Sequence, residues 1–331
     1  MKLKIDIETL KKLASQGDVE AMYELGKMHM SGNEREVEMD LEQAHTLFQK
    51  AADMGHIEAM YELGVLEVTT TLFAKDLDKC PVNSFIKLPD FPTFNDDLTK
   101  QERAQLLNDF RDNIQVEKFQ VKLIEGTTIE EILQKEKIGV EKIIKLAEQG
   151  HVKAICFLGK YYSDDASMSK DIQLAAHNYE LAASLGDTEA LFLLGRMYID
   201  AKDGFTKDIN KGLSLIKSAS DKEYKGAQYW LAKMHYEGKF VEKDYNATFM
   251  LARKAAYQGD PAAQFLLAAC YQKGQGTMVD RGASIHWLSQ SATLGYEPAM
   301  KLLVELIKLG KIKGTFIKLP NGEIHLSLQL F

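Results

Sequence analysis

Between Gly259 and Gly295 apolar and polar residues follow the period of a helix, stop, and start again. From Ala262 to Tyr271 small and large apolar side chains recur at helical spacing, and Gly274 and Gly276 end the run. A second run from Ala283 to Leu294 carries Ile285, Trp287, Leu288 and Ala292. Asp260 followed by Pro261 marks the first start, because an aspartate side chain accepts from free N–H groups of an opening turn and proline loses no hydrogen bond there. Two such helices joined by a glycine turn cannot bury both apolar faces alone, so the pattern predicts a stack of copies.

The copies appear as columns. A first-helix alanine recurs as Ala21, Ala59, Ala154, Ala190, Ala227, Ala263 and Ala299, at intervals of 38, 95, 36, 37, 36 and 36 residues. Four residues later stand Leu25, Leu63, Leu158, Leu194, Leu231, Leu267 and Leu303, each followed by Gly26, Gly64, Gly159, Gly195, Ala232, Ala268 or Val304. The small residues lie on neighbouring turns, where another helix can approach closely, and the leucine fills the core between them. Glycine inside a helix costs roughly 1 kcal/mol relative to alanine, so its recurrence implies tight packing.

The motif G-D-x-E-A-x-x-x-L-G-x-M-Y, from Gly186 to Tyr198 and with a terminal histidine from Gly17 to His29, resembles the Sel1-like repeat family. The closing K-A-A-x-x-G at Lys50 to Gly55 and Lys254 to Gly259 strengthens the resemblance, which spans residues 13–66 and 139–310. It implies an all-α fold of the tetratricopeptide-like superfamily, a right-handed α-solenoid of about seven antiparallel helix pairs whose first helices line a concave side. It also implies an adaptor with diverse partners.

Two segments depart from the repeat. The 95-residue interval holds an insertion within residues 67–138. The first helix of the second repeat is expected to end near Leu66, and its partner to run from Val140 to Gln149. Pro81, Pro89 and Pro92 predict loop over 75–98. Thr99 to Glu102 reads as a capping box for a helix to about Asn113, with a strand over Phe119–Ile124 and a short helix over Ile129–Lys137 following. Phe85, Phe91, Phe94, Leu106, Leu107 and Phe110 favour a folded lobe over a disordered flap. At the other end, Ile324, Leu326, Leu328 and Leu330 alternate with polar residues after the turn Pro320–Asn321–Gly322, which predicts a β-hairpin. Its apolar face needs a cover, and capping the last repeat is the expected role, with dimerisation or strand addition as alternatives. The division expected is 1–66, N-terminal helix and first repeats; 67–138, lobe; 139–310, main array; 311–331, hairpin cap.

Composition narrows the function. A net charge of −7 argues against nucleic acid or a membrane surface as partner. No apolar run is long enough to span a bilayer, and the amphipathic start, Met1 to Gly17, lacks a signal-peptide core, so a cytoplasmic chain is expected. Cys80, Cys156 and Cys270 stand far apart and suit reduced, buried thiols. No nucleotide, hydrolase or metalloprotease motif occurs, and no cofactor or metal is expected. His29 and His235 fill the repeat position of Tyr162, Tyr198 and Tyr271 and read as packing residues.

The candidate site lies two and six residues after each marker alanine. Tyr23, Tyr61, Phe192, Tyr229 and Phe265 share a helix face with Lys27, Lys160, Arg196 and Lys233, while Cys156, Val65, Ala269, Lys301 and Glu305 break the columns. Stacked, they would set rings beside a basic column in a concave groove suited to a partner protein or acidic peptide. The plainer alternative is that the rings pack against the next helix and the cations cover apolar surface. The function expected is a non-enzymatic interaction adaptor. A cytoplasmic immunity protein that neutralises one toxin or effector is the alternative, and a hydrolase the remote one.

Overall fold

A computed structural model describes residues 7–32, 39–79, 129–165, 167, 169–309, 313–318 and 324–329, with side chains except at 71–79, 129–133, 308 and in the two terminal strands. The chain divides into two compact units, Met1–Asp171 and Ile172–Phe331, each with its own apolar cores.

The first unit holds α1 (Ile7–Ser15), α2 (Val19–Ser31), α3 (Leu41–Asp53), α4 (Ile57–Lys79), α5 (Ile129–Glu148) and α6 (Val152–Ser163). Helix α2 packs on α3, and α4 on α5. The column residues do what their spacing predicts: Ala59, Leu63, Ala154 and Leu158 are buried, with Phe48 and Ile143 entering from the second helices. The column glycines are where helices close up. A Cβ on Gly26 would lie 2.7 Å from the Phe48 ring, and one on Gly139 only 2.9 Å from the Gly64 carbonyl oxygen.

The expected boundaries of the insertion are corrected here. Helix α4 does not stop near Leu66 but runs to Lys79, so the loop expected from residue 75 begins no earlier than 80. Its partner is one helix from Ile129 to Glu148, not a short Ile129–Lys137 helix followed by a separate one from Val140. Beyond Leu66 the threonines bond back inside the helix, Thr69 to the Val65 carbonyl at 2.8 Å and Thr70 to the Leu66 carbonyl at 2.7 Å. The long pair is further tied by Lys142, which donates to Glu67 at 2.7 Å, and α6 is tied to α5 by the hydroxyl of Tyr161, which donates to the buried Glu136 at 2.9 Å. The expected helix to Asn113 and strand over 119–124 lie outside the described residues.

The second unit holds α7 (Ile172–Ser184), α8 (Thr188–Asp200), α9 (Ile209–Asp221), α10 (Lys225–Glu237), α11 (Tyr245–Tyr257), α12 (Pro261–Lys273), α13 (Arg281–Thr293) and α14 (Glu297–Lys308). Within this unit each helix packs on its sequence neighbours, as a repeat array requires. Asp260 caps α12 as its sequence predicts, accepting from Ala263 N–H at 2.8 Å, and Asp187 serves α8 in the same way. Helices α8 and α9 meet through Gly195 and Gly212: a Cβ on Gly212 would lie 2.6 Å from the Gly195 carbonyl oxygen. After α14 the backbones of β1 (Lys313–Lys318) and β2 (Ile324–Gln329) pair antiparallel, Phe316 opposite Leu326, and β2 passes beside α13. The expected turn at Pro320–Gly322 lies outside the described residues.

Candidate functional site

The first helices of both units carry the columns expected to bind a partner, and the capping residues decide how the rings sit. In the first unit two caps are histidines. His56 Nδ1 accepts from Ala59 N–H at 3.1 Å, and His151 Nδ1 accepts from Ala154 N–H at 3.2 Å. That leaves each Nε2–H to face a glutamate of the preceding repeat, Glu20 and Glu58, both at 3.2 Å. The column rings rest on these caps: Tyr23 stacks on His56 at 4.6 Å and Tyr61 leans on His151 at 5.1 Å. In the second unit Tyr224 and Tyr296 stand at the cap positions of α10 and α14 without a side-chain cap bond, and Phe192 meets Tyr224 at 5.5 Å and Phe265 meets Tyr296 at 5.6 Å. Tyr23 and Cys156 are buried, whereas Tyr61, Phe192, Tyr229 and Phe265 keep a half-exposed edge. The rings therefore join adjacent repeats while leaving part of their surface to solvent.

The cations of the column are mostly engaged within their own helices. Lys27 pairs with Glu24 at 3.4 Å and lies over the Tyr23 ring at 5.1 Å. Arg196 pairs with Asp200 at 2.8 Å and Lys233 with Glu237 at 3.9 Å. Lys160 is exposed on α6. Around Tyr23 the local charge is acidic. Burial, then Glu62, Glu58, Glu24 and Glu20, push its hydroxyl up to about 12. Burial raises the Glu62 carboxyl too, against the pull of Lys153 and with the push of Glu58, while the Lys153 hydrogen bond holds Glu58 below the usual carboxylate range.

Phe265 and Ala269 line an open cleft of about 460 Å³ with Gln272, Leu288, Leu302 and Leu306. Cys270 is buried, and burial pushes its thiol up to about 11 despite Lys273, which makes it a packing residue, as its spacing suggested. His235 Nδ1 lies 3.0 Å from the Glu242 carbonyl oxygen, and among the described residues it belongs to no group of three or more side chains that could hold a metal ion.

One arrangement escaped the sequence reading. The loop from α10 to α11 places Phe240 at a left-handed φ of 63°, where the corresponding loops have Gly204 at 77° and Gly276 at 69°. The correspondence is fixed by matching hydrogen bonds, Asp208 N–H to Tyr198, Asp244 N–H to His235 and Asp280 N–H to Tyr271. A bulky residue there costs on the order of 1–3 kcal/mol. The Phe240 ring lies parallel to Trp230, at 9° and 6.3 Å. The aligned glycines were the signal that could have exposed it.

The Sel1 repeat pattern matches residues 19–56, 152–187, 188–224, 226–260 and 261–296, more than half the chain. The chitin synthase regulator SKT5 of Saccharomyces cerevisiae is 26% identical over 55% of this chain and 27% of its own length. The chain spans about an eighth to a quarter of the length of the curated relatives it matches. A Sel1 repeat protein from Oxalobacter formigenes aligns at 22% identity over 92% of this chain and 83% of its own, with a TM-score of 0.48. An immunity protein from Pseudomonas aeruginosa aligns at 17% identity over 85% and 82%, with a TM-score of 0.47. No helix among the described residues is long and apolar enough to cross a membrane.

Proposed function

This chain belongs to the Sel1 repeat family, and on that premise we propose that it works without catalysis, as a scaffold that binds another protein on its first-helix faces. The observation that carries the reading is the periodic set of half-exposed rings, Tyr61, Phe192, Tyr229 and Phe265, of which Phe192 and Tyr229 have a charged pair one turn along the helix. Rings held by packing give contact area at little entropic cost, and flanking charges orient a partner. On this reading Lys27, Tyr61 and Lys160 contact the partner in one unit, with Tyr23 buried behind them, and Phe192, Arg196, Tyr229, Lys233 and Phe265 in the other. That one relative is named as a regulator of a synthase agrees with action through a second protein. The terminal strands, with β2 beside α13, would cap the array.

Affinity purification of the full chain identifies the partner, and calorimetry then compares wild type with Lys160→Glu, Arg196→Glu, Lys233→Glu combined. The reading requires weaker binding by a variant with unchanged circular dichroism; full affinity would exclude these faces. A single partner held at nanomolar Kd would mark a neutraliser, and several at micromolar Kd an adaptor, a difference of about 4 kcal/mol.

A further inference from the structure

We propose that the edge of the second unit formed by the α10–α11 loop and the end of α12 docks an acidic, partly apolar segment of a partner protein, through Lys239, Lys243 and Lys273. The proposal rests on the reading that the chain binds another protein, and places the decisive cations elsewhere than the helical columns. All three lysines are exposed and held by aromatic side chains: Lys239 lies over Phe240 at 5.1 Å and Lys243 over Tyr245 at 5.3 Å, while Lys273 is held at the hydroxyl end of Tyr236. The Tyr236 and Tyr245 rings meet at 5.9 Å, and Lys273 Nζ donates to the Tyr236 hydroxyl at 3.1 Å, which joins two of the cations into one patch. Lys243 packs against Gly238 beside Lys239, since a Cβ on that glycine would lie 3.2 Å from Lys243 Cβ.

What separates these lysines from the column cations is their charge balance. Among the described residues none of the three makes an ion pair, whereas Lys27, Arg196 and Lys233 each pair within their own helix. The neighbouring carboxylates are occupied: Glu237 by Lys233, and Asp244 by the Asn246 and Ala247 N–H groups at 2.8 and 3.0 Å. Glu242 and Asp244, both exposed beside the three lysines, offset two of their charges and leave the patch net positive by one on a chain of net −7. Rings that hold the ammonium groups in place reduce the rotamer freedom lost when a carboxylate arrives.

Apolar surface completes the edge. Phe240 is 38% exposed, although glycine would fit its backbone better, and Met278 and Val279, in the loop after Lys273, are 87% and 60% exposed. A strained position that keeps an exposed ring points to use of that ring. Three lysines among apolar side chains match a short acidic stretch with apolar residues. A polyanion such as nucleic acid would meet the net negative charge of the rest of the chain.

The test uses the full chain and a capped, fluorescent peptide alternating glutamate and leucine, followed by anisotropy at low and physiological salt. Wild type is expected to bind, more weakly as salt rises. Lys239→Glu, Lys243→Glu, Lys273→Glu combined should lose at least about tenfold in affinity, while Lys202→Glu, Lys222→Glu, Lys225→Glu, an equal charge change elsewhere on the unit, should stay within about twofold. Phe240→Gly should keep its helical circular dichroism and bind several-fold more weakly. Equal loss in both triple variants, no binding by wild type, or tighter binding of a single-stranded oligonucleotide than of the peptide would each overturn the proposal. Partner capture that survives the patch variant overturns this proposal and leaves the scaffold reading standing, whereas a wild-type chain that captures no partner defeats the scaffold reading itself.

Discussion

The small residues of the repeat are set by backbone contact more than by helix preference. Gly212 and Gly195 let α8 and α9 touch, with carbonyl and side-chain atoms of the facing helix within 2.8 Å of where either Cβ would stand. Alanine would gain roughly 1 kcal/mol of helix propensity at Gly212, yet must push Ile199 and the Gly195 carbonyl aside at a cost of about 1–3 kcal/mol. Gly212→Ala is therefore expected to lower stability in urea titrations; a gain would mean that the interface yields. A second residue-scale expectation concerns alkali. Burial first, and then Glu62 for Tyr23 and Tyr296 for Tyr229, push both hydroxyls up to about 12 from 10.0. The folded chain thus keeps protons that the unfolded chain releases, so these tyrosines support folding fully below pH 10 and lose that effect as pH rises toward 12. Tyr23→Phe with Tyr229→Phe should flatten the decline in thermal midpoint across that window.

At the scale of the element, the alanine, leucine and glycine columns were readable because each reports a contact repeated at fixed spacing. The extent of α4 was not, because Thr69 and Thr70 are poor helix formers in isolation and are held helical by α5 alongside, a partner the sequence places more than seventy residues away. The histidine caps were missed for a related reason: imidazole can replace an aspartate cap only with its proton on the far nitrogen, and the glutamates that fix this, Glu20 and Glu58, come from the previous repeat. The ion pair between the long helices can be tested directly. Burial raises the Glu67 carboxyl, but His45 and Lys142 outweigh it and hold it below the usual carboxylate range. Lys142→Met should cost about 1–3 kcal/mol at neutral pH by leaving a poorly hydrated carboxylate short of a partner. Because the folded pKa of Glu67 is depressed, its contribution is present above its unfolded pKa and disappears as pH falls through the folded one. The gap between wild type and variant in urea should accordingly narrow in acid, and Glu67→Gln added to Lys142→Met should recover part of the loss.

For the whole molecule, repeat arithmetic revealed an array, while the division at Asp171 left no mark in the spacing, which is an unbroken 36 residues from Ala154 to Ala190. Where a stack separates depends on which side chains cross each junction, and a period cannot record that. In an array each repeat is stabilised by its neighbours, so damage should spread along a continuous core and stop where the core stops. Leu267 is fully buried in the second unit, in a cluster with Phe249, Ala256 and Cys270. Leu267→Ala should remove about 2–5 kcal/mol there. If the two units are separate cooperative bodies, hydrogen exchange in the full chain will accelerate in α10 to α13 and stay unchanged in α2 to α6. Equal acceleration in both would show that the chain opens as one body and that the boundary at Asp171 has no energetic meaning.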